Sequence, residues 1–132
     1  MTCTGAYASI INLLSAAGRF GFPLRTLYAA SKWAVIGLTS RCRSSLERGI
    51  RVNAICPGSV AGHRIDSVFA KKAAARGVSM EAVRDEALTK TSLHRLIGPE
   101  DIARTILFLA SPAGANISGQ AIGVDADVQS LI

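Results

Sequence analysis

Tyr28 and Lys32 stand four residues apart in the run LYAASKWAV, which is otherwise made of small and apolar residues. On a helix, residues i and i+4 lie one turn apart on one face, so the phenol and the ammonium would point the same way. An ordinary helix, with a half-buried tyrosine and a lysine stem lying along apolar surface, gives the same pattern. The chemical alternative is a phenol whose proton is made transferable by the neighbouring cation. A free phenol has a pKa of about 10, and a nearby ammonium favours the phenolate and lowers that value. Ser15 lies thirteen residues before Tyr28, and the loop between them, SAAGRFGFP, has two glycines and a proline with which to turn back on itself. A serine hydroxyl placed there would hold the same substrate oxygen. Such a set protonates a carbonyl oxygen or deprotonates an alcohol, and a positioned acid or base is worth about 10²–10⁴ in rate. No side chain supplies a hydride, so the redox step implies a nicotinamide cofactor.

The flanking segments have to position these groups. Residues 8–14, ASIINLL, read as a short apolar strand, expected to be buried on both faces. Residues 26–48 read as a long helix, with Thr26 as a candidate N-cap and Gly49 as its stop. Residues 50–56, IRVNAIC, read as a second strand ended by Pro57-Gly58, and a loop is expected through about Asp66. Two short helices follow at 66–76 and 79–90, the second starting at Ser79. Residues 98–111, GPEDIARTILFLAS, read as a helix with Pro99 at its start and Glu100 and Asp101 at the positive end of its dipole. A third strand is expected over about Gln120–Val124. Each pair of successive strands is joined by a long helical connection, which argues for parallel strands, right-handed crossovers and a layered α/β sheet. In such sheets ligands bind beyond the carboxyl ends of the strands. Ser15 and Pro57-Gly58 fall at two such ends, and Tyr28 and Lys32 lie in the first turns of the crossover helix that starts near the same edge.

The blocks SAAGRFGFPLRTLYAASKWAVIGLT, GIRVNAICPGSV, GPEDIARTILFLASP and ISGQAIGVDAD occur in the order, and at nearly the spacing, of the second half of the short-chain dehydrogenase/reductase family. The resemblance covers about residues 8–130. It implies a Rossmann-like parallel sheet, partial, equivalent to the family's strands 5-6-7 with their crossover helices, so that residues 1–132 form a single partial domain. It implies NAD- or NADP-dependent interconversion of a small-molecule alcohol and carbonyl. Tyr28 would be the acid/base. Lys32 would lower its pKa and hold the nicotinamide ribose, and Ser15 would orient the substrate oxygen. Pro57, Gly58 and Val60 would line the nicotinamide face, so the cofactor-binding set is Tyr28, Lys32, Pro57, Gly58 and Val60. Residues 64–91 would be the variable substrate lid.

The sequence departs from the family in several places. Its glycine-rich phosphate turn and its Asn-Asn-Ala-Gly block do not occur here. Leu14 replaces a common serine beside Ser15, and Gly62 stands where many members have a threonine. Two readings therefore stay open: the catalytic half of an oxidoreductase, or a truncated non-enzymatic remnant or interaction module that binds no dinucleotide. In either case the first strand becomes a sheet edge, and the long helix lacks the partner helix it packs beside in family dimers. The chain is expected to be a homo-oligomer, to pair with a complementing N-terminal half, or to derive from a longer protein.

Composition narrows the remaining classes. A chain of 132 residues with 49% hydrophobic and 18% charged residues should fold. Its net charge of +6 comes from 15 scattered basic residues, densest at Arg41, Arg43, Arg48 and Arg51. With only 5% aromatics and none interleaved among these arginines, a solvated basic surface is expected, not a nucleic-acid site. Cys3, Cys42 and Cys56 show no metal spacing, and an odd count fits a reducing compartment. No apolar run approaches the roughly 20 residues that span a bilayer. No secretory signal is apparent, so a cytoplasmic protein without metal, membrane or nucleic-acid partners is expected. Among the other polar and aromatic residues, Asn53 reads as a structural hydrogen-bonder and His63 and His94 as surface or lid residues. Asp125 and Asp127 read as turn formers, Trp33 as packing, and Cys56 as inert core.

Overall fold

Seven-residue β2, Arg51–Pro57, carries the fold: every one of its residues is buried. A computed structural model describes residues 8–45 and 49–129. Within them β1 (Ser9–Leu13) and β3 (Ala121–Val124) flank β2, both parallel to it, in the order β1-β2-β3. Ser9 pairs with Arg51 and Leu13 with Ile55 on one side, and Ala54 pairs with Ala121 and Pro57 with Val124 on the other. Helix α1 (Thr26–Ser45) connects β1 to β2. Helices α2 (His63–Arg76), α3 (Met80–Thr89) and α4 (Pro99–Ala110) connect β2 to β3. The expected partial parallel α/β sheet is therefore present.

The two faces of β2 follow from its alternation. Ala54 and Cys56 face α1 and pack with Leu14, Val35, Ile36 and Ala121. On the same face the Asn12 amide donates to the buried Thr39 hydroxyl at 2.9 Å, tying β1 to α1. Arg51, Asn53 and Ile55 point the other way, toward α4 and the segment before β3. Arg51 does not join the solvated basic surface expected of it. It is buried, and its guanidinium donates to the carbonyls of Leu109 and Gly114 at 2.5 and 2.9 Å. These carbonyls close the C-terminal end of α4 and the turn after it, where a cation is favoured by the helix dipole. Arg41 is exposed, and Cys3 and Arg48 lie outside the described residues.

Asn53 has the structural role expected of it. Its amide nitrogen donates to the Ile117 carbonyl at 2.8 Å, and its amide oxygen accepts from the Gln120 N–H at 3.1 Å. The side chain thus continues the β2–β3 ladder where the chain has not yet entered β3.

Several local expectations change. β1 is not buried on both faces: Ile10 is 44% and Leu13 58% exposed, because among the described residues β1 bonds to β2 alone and has an open edge. Trp33 is 53% exposed on the outward side of α1, not packed. Thr26 does not cap α1 but opens it, since the Ala29 N–H already bonds the Arg25 carbonyl at 2.9 Å. Gly49 has φ of 77°, as a glycine ending a helix would, although residues 46–48 lie outside the described residues. Helix α2 begins at His63, three residues earlier than expected, because Gly62 turns the chain with φ of 136°. A threonine, which the family resemblance leads one to expect here, would be strained in this conformation. Ser79 caps α3 as expected, its hydroxyl accepting from the Ala82 N–H at 3.1 Å. Phe69, Ala73 and Val83 form a small core between α2 and α3, and Arg76 bonds Glu86 at 2.7 Å, which holds that carboxyl below the usual range.

Two outcomes test this core. Asn53→Ala leaves the Ile117 carbonyl and the Gln120 N–H without partners, so urea unfolding should show a loss of about 2–4 kcal/mol. Burial pushes the Cys56 thiol up, against a smaller opposing effect of Arg19. The folded chain therefore keeps this proton to higher pH than the unfolded chain does. Stability should fall as pH rises past the ordinary thiol value of about 8.5, and Cys56→Ala should remove that part of the slope.

Candidate active site

The residues singled out by their chemistry gather at the carboxyl ends of the strands. Ser15 follows β1 by two residues and caps a 3-10 turn over Ala16–Gly18, its hydroxyl accepting from the Ala17 N–H at 3.2 Å. A hydroxyl has one proton to donate and two lone pairs. Acting as an acceptor leaves the Ser15 O–H available, and it meets no acceptor among the described residues. The turn is seated directly on α1. A Cβ on Gly18 would lie 3.1 Å from Ile36 Cδ1 and 3.2 Å from the Lys32 carbonyl oxygen, so a side chain there would have to push α1 back slightly, and glycine gives the close seat. Leu14, the residue that departs from a common serine, fills the core beneath it with Ala54 and Cys56.

Tyr28 and Lys32 lie on one face of the first turns of α1, both half-buried. Lys32 Nζ lies 5.4 Å from the centroid of the Tyr28 ring. Neither the Lys32 ammonium nor the Tyr28 hydroxyl has a hydrogen-bond or carboxylate partner among the described residues. The structure therefore brings Tyr28 and Lys32 into contact and packs the Ser15 turn against the backbone of Lys32. No hydrogen bond joins Ser15 to Tyr28 among the described residues.

Pro57 ends β2, and the Gly58 N–H continues the ladder to the Val124 carbonyl at 3.0 Å. A Cβ on Gly58 would fall 2.8 Å from Asp125 Cα, so this glycine is required by the close approach of the chain leaving β3. Val60 pairs in a bridge with Ile97, which anchors the start of the α2–α3 excursion. Asp125 accepts from the Asp127 N–H at 3.1 Å, the turn-forming role expected of it, and Asp127 accepts from the Ser92 hydroxyl at 2.7 Å.

Three features had no signal in the sequence. Arg19 crosses the rim to Asp125 at 3.4 Å, lying over Gly123, where any Cβ would run into its guanidinium. The Phe22 ring meets the Tyr28 ring edge-on, with centroids 6.5 Å apart and planes at 74°. A cleft of about 530 Å³ opens beside the end of β3, lined in part by Arg95, Asp101, Arg104 and Asp127. None of Ser15, Tyr28, Lys32, Pro57, Gly58 or Val60 lines that cleft. Residue pairs 106 and six positions apart have no periodicity to read, and a cleft walled by three segments is a property of packing alone.

The donors left over at this rim suit the hydroxyl- and carboxamide-bearing end of a nicotinamide dinucleotide: an ammonium, a phenol and a serine hydroxyl. The pattern G-x-G-x-x-G, which cradles a pyrophosphate in Rossmann folds, does not occur in the sequence. No helix among the described residues is long and apolar enough to cross a membrane.

Comparison with known proteins agrees with this arrangement. The family described as Enoyl-(Acyl carrier protein) reductase matches residues 1–127. A 3-oxoacyl-(acyl-carrier-protein) reductase FabG of Thermotoga maritima is 41% identical over 118 residues, 89% of this chain and 44% of that protein. A 2-(S)-hydroxypropyl-CoM dehydrogenase 3 of Xanthobacter autotrophicus is 34% identical over 124 residues, 93% of this chain and 47% of that protein. The chain thus spans about half the length of the curated relatives it matches. Among solved structures, a short chain dehydrogenase family protein of Francisella tularensis superposes with a TM-score of 0.85 at 28% identity, over 91% of this chain and 50% of the other. An actinorhodin polyketide ketoreductase solved with NADPH superposes with a TM-score of 0.82 at 31% identity, over 89% of this chain and 46% of the other. With the sheet order, the paired Tyr28 and Lys32 and these matches in agreement, the chain belongs to the short-chain dehydrogenase/reductase family.

Proposed function

We propose that this chain carries the proton-transfer half of an NAD(P)-dependent oxidoreductase that interconverts a small-molecule alcohol and a carbonyl. The observation that carries the reading is the Lys32 ammonium, 5.4 Å from the Tyr28 ring and without a carboxylate partner among the described residues. A cation brought against the phenol oxygen from that position would stabilise negative charge developing there. Tyr28 then gives its proton to the carbonyl oxygen during reduction and takes it back during oxidation. The Ser15 O–H, still free to donate, holds the same oxygen. A nicotinamide, when bound, supplies or accepts the hydride. Lys32 and Tyr28, with Pro57, Gly58 and Val60 at the end of β2, are the residues that would hold its nicotinamide end. Residues 1–132 act as one unit, and the α2–α3 excursion, about residues 64–91, covers the substrate.

The open edge of β1, with Ile10 and Leu13 exposed, supports completion of the sheet by a further strand. The outward side of α1, with Leu27, Trp33 and Leu38 exposed, supports association with a second copy.

Titration of the purified chain with NADH and NADPH should show little or no binding in isolation, because the sequence carries no G-x-G-x-x-G phosphate turn. In an assembly that turns over carbonyl substrate, Tyr28→Phe should lower kcat by about 10²–10⁴ with cofactor affinity preserved. Lys32→Ala should lower both. Turnover that survives Tyr28→Phe overturns the reading. A tight dinucleotide complex of the isolated chain would show that the phosphate turn is replaced by something within these residues.

A further inference from the structure

We propose that Phe22 positions the Tyr28 phenol, a role that rests on Tyr28 being the acid/base of the reading above. Phe22 lies in the loop before α1, six residues ahead of Tyr28, so helical spacing does not bring the two together. The loop folds back instead, with Leu24 exposed and held at φ of 61°, a conformation that residues other than glycine adopt only when their surroundings impose it.

Four side chains then form a stack. The Arg25 guanidinium lies 5.7 Å from the centroid of the Phe22 ring. The Phe22 and Tyr28 rings meet at 6.5 Å and 74°. Lys32 Nζ lies 5.4 Å from the Tyr28 ring on the far side of the sequence. Each contact suits the charge distribution of an aromatic ring, negative on its faces and positive at its edge. A tyrosine ring has only two torsions, and its outer one is broad. Lys32, on a flexible stem, cannot fix the ring plane alone. Phe22, itself half-buried and with the Arg25 guanidinium beside it, supplies the second contact that does. The plane of the ring sets where the phenol oxygen points, and proton transfer requires that oxygen within about 2.6–3.2 Å of its partner. Phe22 touches no reacting atom in this scheme and acts through Tyr28.

The test reads the Tyr28–Lys32 geometry in the chain itself. Nuclear Overhauser contacts between the Tyr28 ring protons and the Lys32 ε-methylene are measured in the parent chain, Phe22→Leu, Phe22→Tyr and Arg25→Ala, with Tyr28→Phe identifying the signal. The contact should be present in the parent, fall at least twofold in Phe22→Leu, and return in Phe22→Tyr. Unchanged contacts in Phe22→Leu overturn the proposal. If Phe22→Leu does not fold, Arg25→Ala at an exposed position decides: a weakened contact supports the stack and an unchanged one overturns it. In an assembly that turns over, Phe22→Leu should lower kcat by roughly 10-fold or more with KM unchanged. Failure of the acid/base reading looks different: Tyr28→Phe retains turnover, while the contacts between the Phe22, Tyr28 and Lys32 side chains remain as described.

Discussion

The arrangement depends on β2 being paired in parallel on both sides. Each of its seven residues is buried, and its peptide groups are committed to β1 on one side and β3 on the other. A parallel pair cannot be closed by a short turn, so each neighbour must be reached through a helical crossover. That requirement puts α1 on one face and α4 on the other, and returns the chain each time to the same edge of the sheet. The starts of the crossovers, and hence Ser15, Tyr28, Lys32 and Gly58, share that edge because all three strands run the same way. Asn53 and Arg51 reinforce this from within β2. The first holds the approach to β3 through two hydrogen bonds, and the second grips the carbonyls at the end of α4.

Much of this was legible in the sequence because it depends on local periodicity and punctuation. The strand residues cluster as apolar runs, α4 announces itself through Pro99, Glu100 and Asp101, and Ser79 marks the start of α3. Tyr28 and Lys32 could be placed together because i, i+4 spacing on a helix is a geometric certainty. Sequence reasoning failed where an outcome depended on what lies across the fold. The apolar run 8–14 looks doubly buried because its residues are those of a central strand, yet among the described residues β1 has one neighbour. Arg51 looked like surface charge because nothing local reveals that two helix-end carbonyls lie above it. Phe22 and Arg19 reach their partners through loop geometry that leaves no periodic trace.

The departures from the family pattern have local physical causes. Leu14 replaces polarity with a buried side chain in the small core between β1, β2 and α1. Gly62 takes a φ of 136° and lets α2 start early. The rim, by contrast, holds three half-buried polar groups, Ser15, Tyr28 and Lys32, whose donors meet no acceptor among the described residues. On the reading proposed above, these are the groups that would meet a ligand.

The most direct measurement is a crystal structure of the catalytically assembled protein with a bound nicotinamide dinucleotide. The account predicts the ribose within hydrogen-bond reach of Lys32 Nζ and the Tyr28 hydroxyl, with the Ser15 hydroxyl facing the nicotinamide ring across the end of β2. A dinucleotide seated in the cleft beside Arg95 and Arg104, with Tyr28 and Lys32 turned away from it, would contradict the account.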